Sequence, residues 1–326
     1  MARGEFETIA ALFAPLTRGH RAALGLRDDA ACLSPRRGRD FVITADALVA
    51  GVHFFDDDPA GDIARKALRT NLSDLAAKGA VPVGYFLSLA RPRAWNDRRL
   101  ATFARGLAAD GAEFGVPLLG GDTTSTPGPL TLAITAIGEV ASGRMLRRDG
   151  ARPGDDLWIS GTIGDGALGL MVARGELAAL AARHRNALLA RYRIPLPRLA
   201  LGRALVGIAH AAMDVSDGLA GDLRHICGAS GVEATVERDA VPVSAAAAAA
   251  IALDPALRIR TLAGGDDYEI LFAAPPEARA RVLQAARRAG TPVARIGGFA
   301  KGPVRVRIVD RQRRVLRLGR AGFTHF

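Results

Sequence analysis

The sequence predicts two α/β (α+β) domains in tandem. Length is the first reason, since 326 residues can build two domains with a substantial core in each. Pattern is the second: apolar runs of strand length alternate with segments of helical periodicity through both halves. The third is that nothing recurs at the roughly 20–50-residue period of a repeat protein. A stretch dense in turn residues and charge, RRDGARPGD at 147–155, places the boundary near 142–152, with domains at 1–145 and 146–326.

In the first half, Phe6, Ile9, Ala10 and Phe13 share one face of a helix over 5–13, which Pro15 ends. A loop leads to Asp28 and Asp29. Residues 30–34 and 40–46 read as strands, the second closing on Asp46, and 51–55 as a short extended piece. Three aspartates followed by Pro59 start a helix that runs to about Lys78. Leu68, Leu72, Leu75, Ala76 and Gly79 form its buried stripe, while Asn71, Asp74 and Lys78 share another face. That face has two readings. It is a wet surface on which Asp74 pairs with Lys78 for a few tenths of a kcal/mol, or it aims Asp74 into a cleft where distant carboxylates meet around metal ions. Residues 81–90 are an apolar strand, and 96–114 a helix capped by Asn96. A short strand, 116–119, runs into Gly120-Gly121-Asp122, and 130–140 alternates as a long strand.

The second half opens with a strand at 156–160, a glycine-rich turn and a helix to about Arg174. Pro195 and Pro197 bracket a helix start near Arg198. A strand over 209–215 ends in Ser216-Asp217-Gly218 and leads into a helix to about Ser230. Then come a strand at 232–237, an alanine-rich helix at 244–252, and the loop 264–267 before a strand at 268–273. A helix at 276–289 and strands at 293–296 and 304–309 complete the pattern.

Composition removes several function classes. No apolar run approaches the roughly 20 residues a membrane helix needs. The first residues carry Glu5 and Glu7 inside their apolar pattern and lack a signal-peptide layout, so a cytoplasmic protein is expected. Cys32 and Cys227 are too few and too isolated for a disulfide scaffold or a zinc site. The net charge of +11 is almost all arginine, with Lys66, Lys78 and Lys301 the lysines. These arginines are scattered, and the densest group, 305–317, alternates with Val304, Val306, Ile308 and Val315 as a surface hairpin would. Aromatic residues make up 5%, leaving few stacking platforms for bases, so nucleic acid is not an expected partner. The positive field instead helps to collect anionic substrates.

Residues 164–169, GDGALG, fit G-x-G-x-x-G between a strand and a helix, but no acidic residue ends a second strand about 20 residues later, as a dinucleotide site requires. Close helix–strand packing is the reading. A lysine-bearing phosphate loop and the protein-kinase motifs are both missing from the sequence. What remains is a series of aspartates at strand ends and helix starts: Asp28, Asp29, Asp46, Asp74, Asp122, Asp214, Asp217, Asp266 and Asp267. Each alone is explained by a turn or a cap. Together, beside glycines, they would repel one another unless cations neutralised them. Oxygen ligands without His or Cys suit Mg²⁺, which shares carboxylates with substrate phosphates. Glycines let backbone approach phosphate oxygens, and phosphoryl transfer needs positioning and charge neutralisation above all.

Longer stretches extend this reading: GEF at 4–6, DDA at 28–30, ADALVAGVHF at 45–54, NLSDLAAKGA at 71–80 and GGDTT at 120–124. They continue with RRDGARPGD, SGTIGDGALGL at 160–170, DVSDGL at 214–219, GGDDYE at 264–269 and GFTHF at 322–326. On these motifs, which run end to end in the family's order, the chain resembles the thiamine-monophosphate kinases of the aminoimidazole ribonucleotide synthetase-like ATP-binding family. The resemblance implies that family's two-domain fold, with mixed sheets packed with helices in each half, and a homodimer built on N-terminal-domain strands. It implies ATP-dependent phosphorylation of thiamine monophosphate to thiamine diphosphate, with direct transfer between phosphates and several Mg²⁺ ions. Carried over by position, Asp29, Thr44, Asp46, Asp74, Asp122, Asp214 and Asp217 correspond to metal ligands, with Asp74, Asp122 and Asp214 central to catalysis. Gly121, Asp122, Arg148 and Ser216 correspond to ATP contacts, and His53, Asp266 and Phe323 to substrate contacts.

The chain departs from the family pattern at three points. Ala45 stands where a hydroxyl residue is common, Arg27 where a glycine usually precedes the paired aspartates, and Asp266 where glutamate is usual. Two alternatives share the architecture. The purine-pathway cyclo-ligase lacks the combination NLSD…GGDTT…DVSDG, and a non-catalytic ATP-binding regulator would fit Ala45 and Asp266.

Overall fold

The alternating pattern becomes two sheets in a computed structural model, which describes residues 5–28 and 30–316. The described residues divide into two compact units. One takes in those up to Leu75 together with Ala80–Gly143, the other Ala76–Gly79 and those from Arg144 on.

The first unit begins with a single α-turn, Glu5–Thr8 (α1). The helix expected over 5–13 widens there into a π-turn, Ile9–Phe13, and tightens into a 3₁₀ turn, Ala14–Thr17. That change of pitch buries both Phe13 and Leu16, and Pro15 occupies the start of the tighter turn instead of ending the helix. Strands β1 (Arg39–Val49), β2 (Val81–Pro92), β3 (Leu118–Thr126) and β4 (Thr131–Ala141) form one sheet in the order β1-β4-β2-β3. β4 runs antiparallel to β1 and β2, and β3 parallel to β2. Val42, Thr44, Asp46 and Leu48 share one face of β1; Ile43, 63% exposed, lies on the other.

Helices α2 (Ala60–Ala77) and α3 (Asp97–Phe114) pack together closely enough that a side-chain carbon on Gly106 would lie 2.4 Å from the Gly61 carbonyl oxygen. The stripe of Leu68, Leu72, Leu75 and Ala76 is fully buried, as its spacing predicts. Buried charge also ties the pair. Arg69, 1% exposed, donates from Nε and Nη2 to both oxygens of Asp110 at 2.7 Å, and Arg65 Nε adds a third bond at 2.9 Å. Asp110→Ala would remove both of these bonds from the buried Arg69 guanidinium and leave it Glu113, which accepts from Nη2 at 2.6 Å, so we expect a loss of about 3 kcal/mol in urea unfolding, with Asp110→Asn costing less.

Predicted and observed elements of this unit differ at three further places. Residues 30–34 form no strand; Ala31 and Leu33 instead pack on Ala22, Leu119 and Ile137. Residues 51–55 make a turn closed by an Ala50–Phe54 bridge. β3 continues through GGDTT, because Ser88 to Pro92 of β2 supply ladder partners for Asp122 to Thr126.

The second unit carries six strands: β5 (Asp156–Ser160), β6 (Ala211–Asp214), β7 (Glu233–Glu237), β8 (Ile270–Ala274), β9 (Val293–Ala300) and β10 (Arg305–Val309). Their order is β10-β7-β9-β5-β8-β6, with β10 parallel to β7 and the other pairs antiparallel. The helices are α4 (Asp165–Ala173), α5 (Ala182–Arg193), α6 (Leu199–Leu205), α7 (Leu219–Ser230), α8 (Ala245–Leu253), α9 (Leu257–Ala263) and α10 (Arg279–Arg288). Both sheet faces are covered. Leu157, Ile159, Met213 and Leu271 pack with Leu219, Leu223 and Ile226 of α7. Trp158, Ala212, Ile270 and Phe272 pack with Leu201 and Leu205 of α6 and Val282 of α10. Two covered faces explain why β5 and β8 read as continuous apolar runs. The arginine-rich end is half of the expected hairpin: β10 pairs with β7, and the chain then turns back through a Val309–Val315 bridge. Among the described residues no helix is long and apolar enough to cross a membrane.

Candidate active site

The face of α2 that carries Asp74 is not a solvated one. From Lys66 to Ala77 every residue is buried except Asp74, which is half-buried. Thr44 of β1 donates its hydroxyl to Asp74 Oδ2 at 2.5 Å, so strand and helix jointly fix that carboxylate. Asp46, two residues along the same strand face, is pushed up to about 6 by burial and then by the charge of Asp74. One turn before Asp74, Asn71 Oδ1 is buried with no hydrogen-bond partner among the described residues. Two facing carboxylates, a hydroxyl and an orphaned amide oxygen are all hard donors. Their mutual repulsion is relieved by a divalent cation, and the set fits Mg²⁺.

Asp122 stands apart from that pair. The row Asp46, Ile134, Leu87 and Gly121 crosses the whole sheet, and the neighbouring row is Ala47, Ala133, Ser88 and Asp122. Asp122 therefore lies on the opposite face from Asp46 and three strand spacings away, about 14 Å. Gly121 is pressed so tightly on β2 that a side-chain carbon would meet the Leu87 carbonyl oxygen at 1.9 Å, which leaves glycine as the residue that fits. His53 sits in the turn after β1, where Nδ1 accepts the Val49 N–H at 3.0 Å. The neutral ring then carries its proton on Nε2. Asp29 and Phe323 lie outside the described residues.

In the second unit, Asp214 ends β6, and Ser216 and Asp217 form the turn into α7. Asp222, in the first turn of α7, accepts the N–H groups of Asp217 and Gly218 on one oxygen at 3.0 Å each. Burial and then Asp217 push its carboxyl up to about 7, while those N–H groups pull the other way. The loop 264–269 extends the β6–β8 ladder past the end of β6: Asp266 N–H donates to Ser216 O and Tyr268 N–H to Val215 O, each at 2.8 Å. DVSDG and GGDDYE are thus neighbours, and Asp214, Ser216, Asp217 and Asp266 belong to one region.

The three acids of GGDDYE have different tasks. Asp267 turns inward and accepts the N–H groups of Gly164 and Gly166 at 2.7 and 3.0 Å; burial raises its carboxyl well above the ordinary range. Glu269 is fully buried, held by the Ser160 hydroxyl at 2.6 Å, Arg198 Nε at 2.7 Å and Arg191 at 3.1 Å. Asp266 remains half-buried at the surface. The Asp267 contacts also account for the G-x-G-x-x-G match. A carboxylate of the chain itself fills the anion slot at the start of α4, and Gly169 packs against the Leu188 carbonyl.

Arg148 is exposed, and its carbonyl accepts the Ser230 hydroxyl at 2.9 Å, while Ser230 Oγ accepts the Ala151 N–H at 3.1 Å. Ser230, Asp222 and Tyr268 leave no signal in the sequence, since none has a spacing that sets it apart from an ordinary helix or strand residue. Among the described residues, no three His, Cys, Asp or Glu side chains form a metal-binding group.

Two family models match: the AIR synthase related protein N-terminal domain over residues 27–140 and the corresponding C-terminal domain over 152–309. The chain is 49% identical to a thiamine-monophosphate kinase of Caulobacter vibrioides, over 91% of this chain and 84% of that one. A crystal structure of thiamine-monophosphate kinase from Stenotrophomonas maltophilia superposes with a TM-score of 0.82 at 41% identity, covering 91% of this chain and 96% of that one. A solved complex, AaThiL with AMPPCP and TMP, gives 0.79 at 26% identity over 90% and 89%.

Proposed function

The chain belongs to the thiamine-monophosphate kinase family of AIR synthase related proteins, and on that premise we propose that it phosphorylates thiamine monophosphate to thiamine diphosphate with ATP and Mg²⁺, by direct in-line transfer. The observation that carries the reading is the Asp46–Asp74 pair: Thr44 holds the Asp74 carboxylate, and burial and then the charge of Asp74 push Asp46 up to about 6. Such a pair is costly in an empty fold and useful where cations bind. Thr44, Asp46 and Asp74, with Asp29, are the proposed ligands of Mg²⁺ on one face of the first sheet, and Asp122, on the opposite face, and Asp214 and Asp217, in the second unit, are proposed to hold further Mg²⁺ ions. Bound Mg²⁺ supplies neutralisation of the charge on the two phosphate-bearing substrates.

The side chains divide the remaining work. Gly121, Asp122, Arg148 and Ser216 are assigned to ATP, with Arg148 neutralising phosphate charge. His53, Asp266 and Phe323 are assigned to thiamine monophosphate, His53 through its Nε2 proton. The acceptor is a phosphate oxygen already ionised at neutral pH, so the reaction asks no side chain to act as general base. The exposed Ile43 face of β1 supports the family's homodimer, to be checked by sedimentation, and the expected setting is the cytoplasm.

Purified protein given ATP, Mg²⁺ and thiamine monophosphate should yield ADP and thiamine diphosphate in equal amounts. ADP release stimulated by formylglycinamidine ribonucleotide and indifferent to thiamine monophosphate would replace this reading with the cyclo-ligase.

A further inference from the structure

Tyr268 lies two residues past Asp266 and turns its hydroxyl back on it, with Oη donating to Asp266 Oδ1 at 3.0 Å. Both residues have left-handed backbone, φ 67° and 55°, a region that non-glycine side chains seldom occupy. Such a conformation persists only where the surroundings over-determine it. Here they do: both N–H groups are tied to the end of β6, and Asp267 between them is anchored inward on the start of α4. Inward Asp267 and Glu269 alternate with half-buried Asp266 and Tyr268, so the strained backbone brings the carboxylate and the phenol together at the accessible edge.

An aspartate carboxyl is a single bond removed from Cβ, so one hydrogen bond fixes the direction in which it points. We propose that Tyr268 is a positioning and specificity-determining residue: its hydroxyl orients the Asp266 carboxylate toward the amino-bearing pyrimidine of the substrate. This inference rests on the kinase reading and on Asp266 as a substrate contact. The phenol thereby stiffens a carboxylate one methylene shorter than the glutamate usual in the family.

The test is Tyr268→Phe, which removes one oxygen and keeps the ring and its backbone. The KM for thiamine monophosphate should rise about tenfold, the effect of losing a hydrogen bond to a charged group. The kcat, the KM for ATP and the melting temperature should stay within error. In Asp266→Asn the same hydroxyl substitution should add little further, because the group it orients has lost its charge. An unchanged KM for thiamine monophosphate, or an equal rise in the KM for ATP, overturns the inference while leaving the kinase reading intact. No turnover of thiamine monophosphate by the unaltered protein overturns the kinase reading and the inference together.

Discussion

Asp74→Asn should reduce kcat by about 10³-fold or more, the scale seen when a preorganised electrostatic group is lost, while the protein stays folded. The expectation follows from what surrounds the residue. Thr44 can still donate to the amide oxygen, so the strand–helix contact at 2.5 Å has a replacement. The leucine stripe that seats the helix is untouched. What disappears is one of two negative charges facing each other beneath the sheet. A collapse of the melting temperature in parallel with activity would mean that Asp74 serves the fold, and full activity would mean that it serves neither.

Asp46→Asn should abolish turnover and, in a chelator at pH 7.5, make the protein more stable. The sign follows from proton linkage. Asp46 titrates at about 6 in the folded chain, against an ordinary value of 3.8. As pH rises from about 4, the unfolded chain gives up this proton first, so stability falls until the folded pKa is passed and then stays low. Removing the group should recover on the order of 2 kcal/mol at pH 7.5 and flatten the decline between pH 4 and 6. Asp222, pushed up to about 7, keeps a slope of the same sign in the variant and carries it to higher pH. Denaturant titrations at pH 5 and 7.5 check both points; equal destabilisation at the two would contradict the account.

How far the sequence carries depends on which physical signal each element leaves. The stripe of α2 is legible because burial repeats with the helical period, and β5 and β8 because a sheet covered on both faces needs unbroken apolar runs. The extension of β3 through GGDTT is not, because Gly-Gly-Asp reads as a turn while the partners that make it a strand lie more than 30 residues earlier, at Ser88 to Pro92. Residues 30–34 alternate like a strand but find no ladder. In GGDDYE the composition announces an acidic site, yet only geometry separates Asp266 at the edge from Asp267 and Glu269, which brace α4 and a half-buried arginine pair. For Asp122, strand register decides which face it occupies, and one residue of slip would reverse it.

The central claim is that these aspartates serve transfer of a phosphoryl group from ATP straight to thiamine monophosphate. A single-turnover reaction with γ-labelled ATP, quenched in acid over a time course, tests it most directly. The label should pass into thiamine diphosphate at the rate at which ATP is consumed, with none precipitating with the protein at any time. Label that appears first on the protein, or is released as inorganic phosphate at a rate indifferent to thiamine monophosphate, would contradict it.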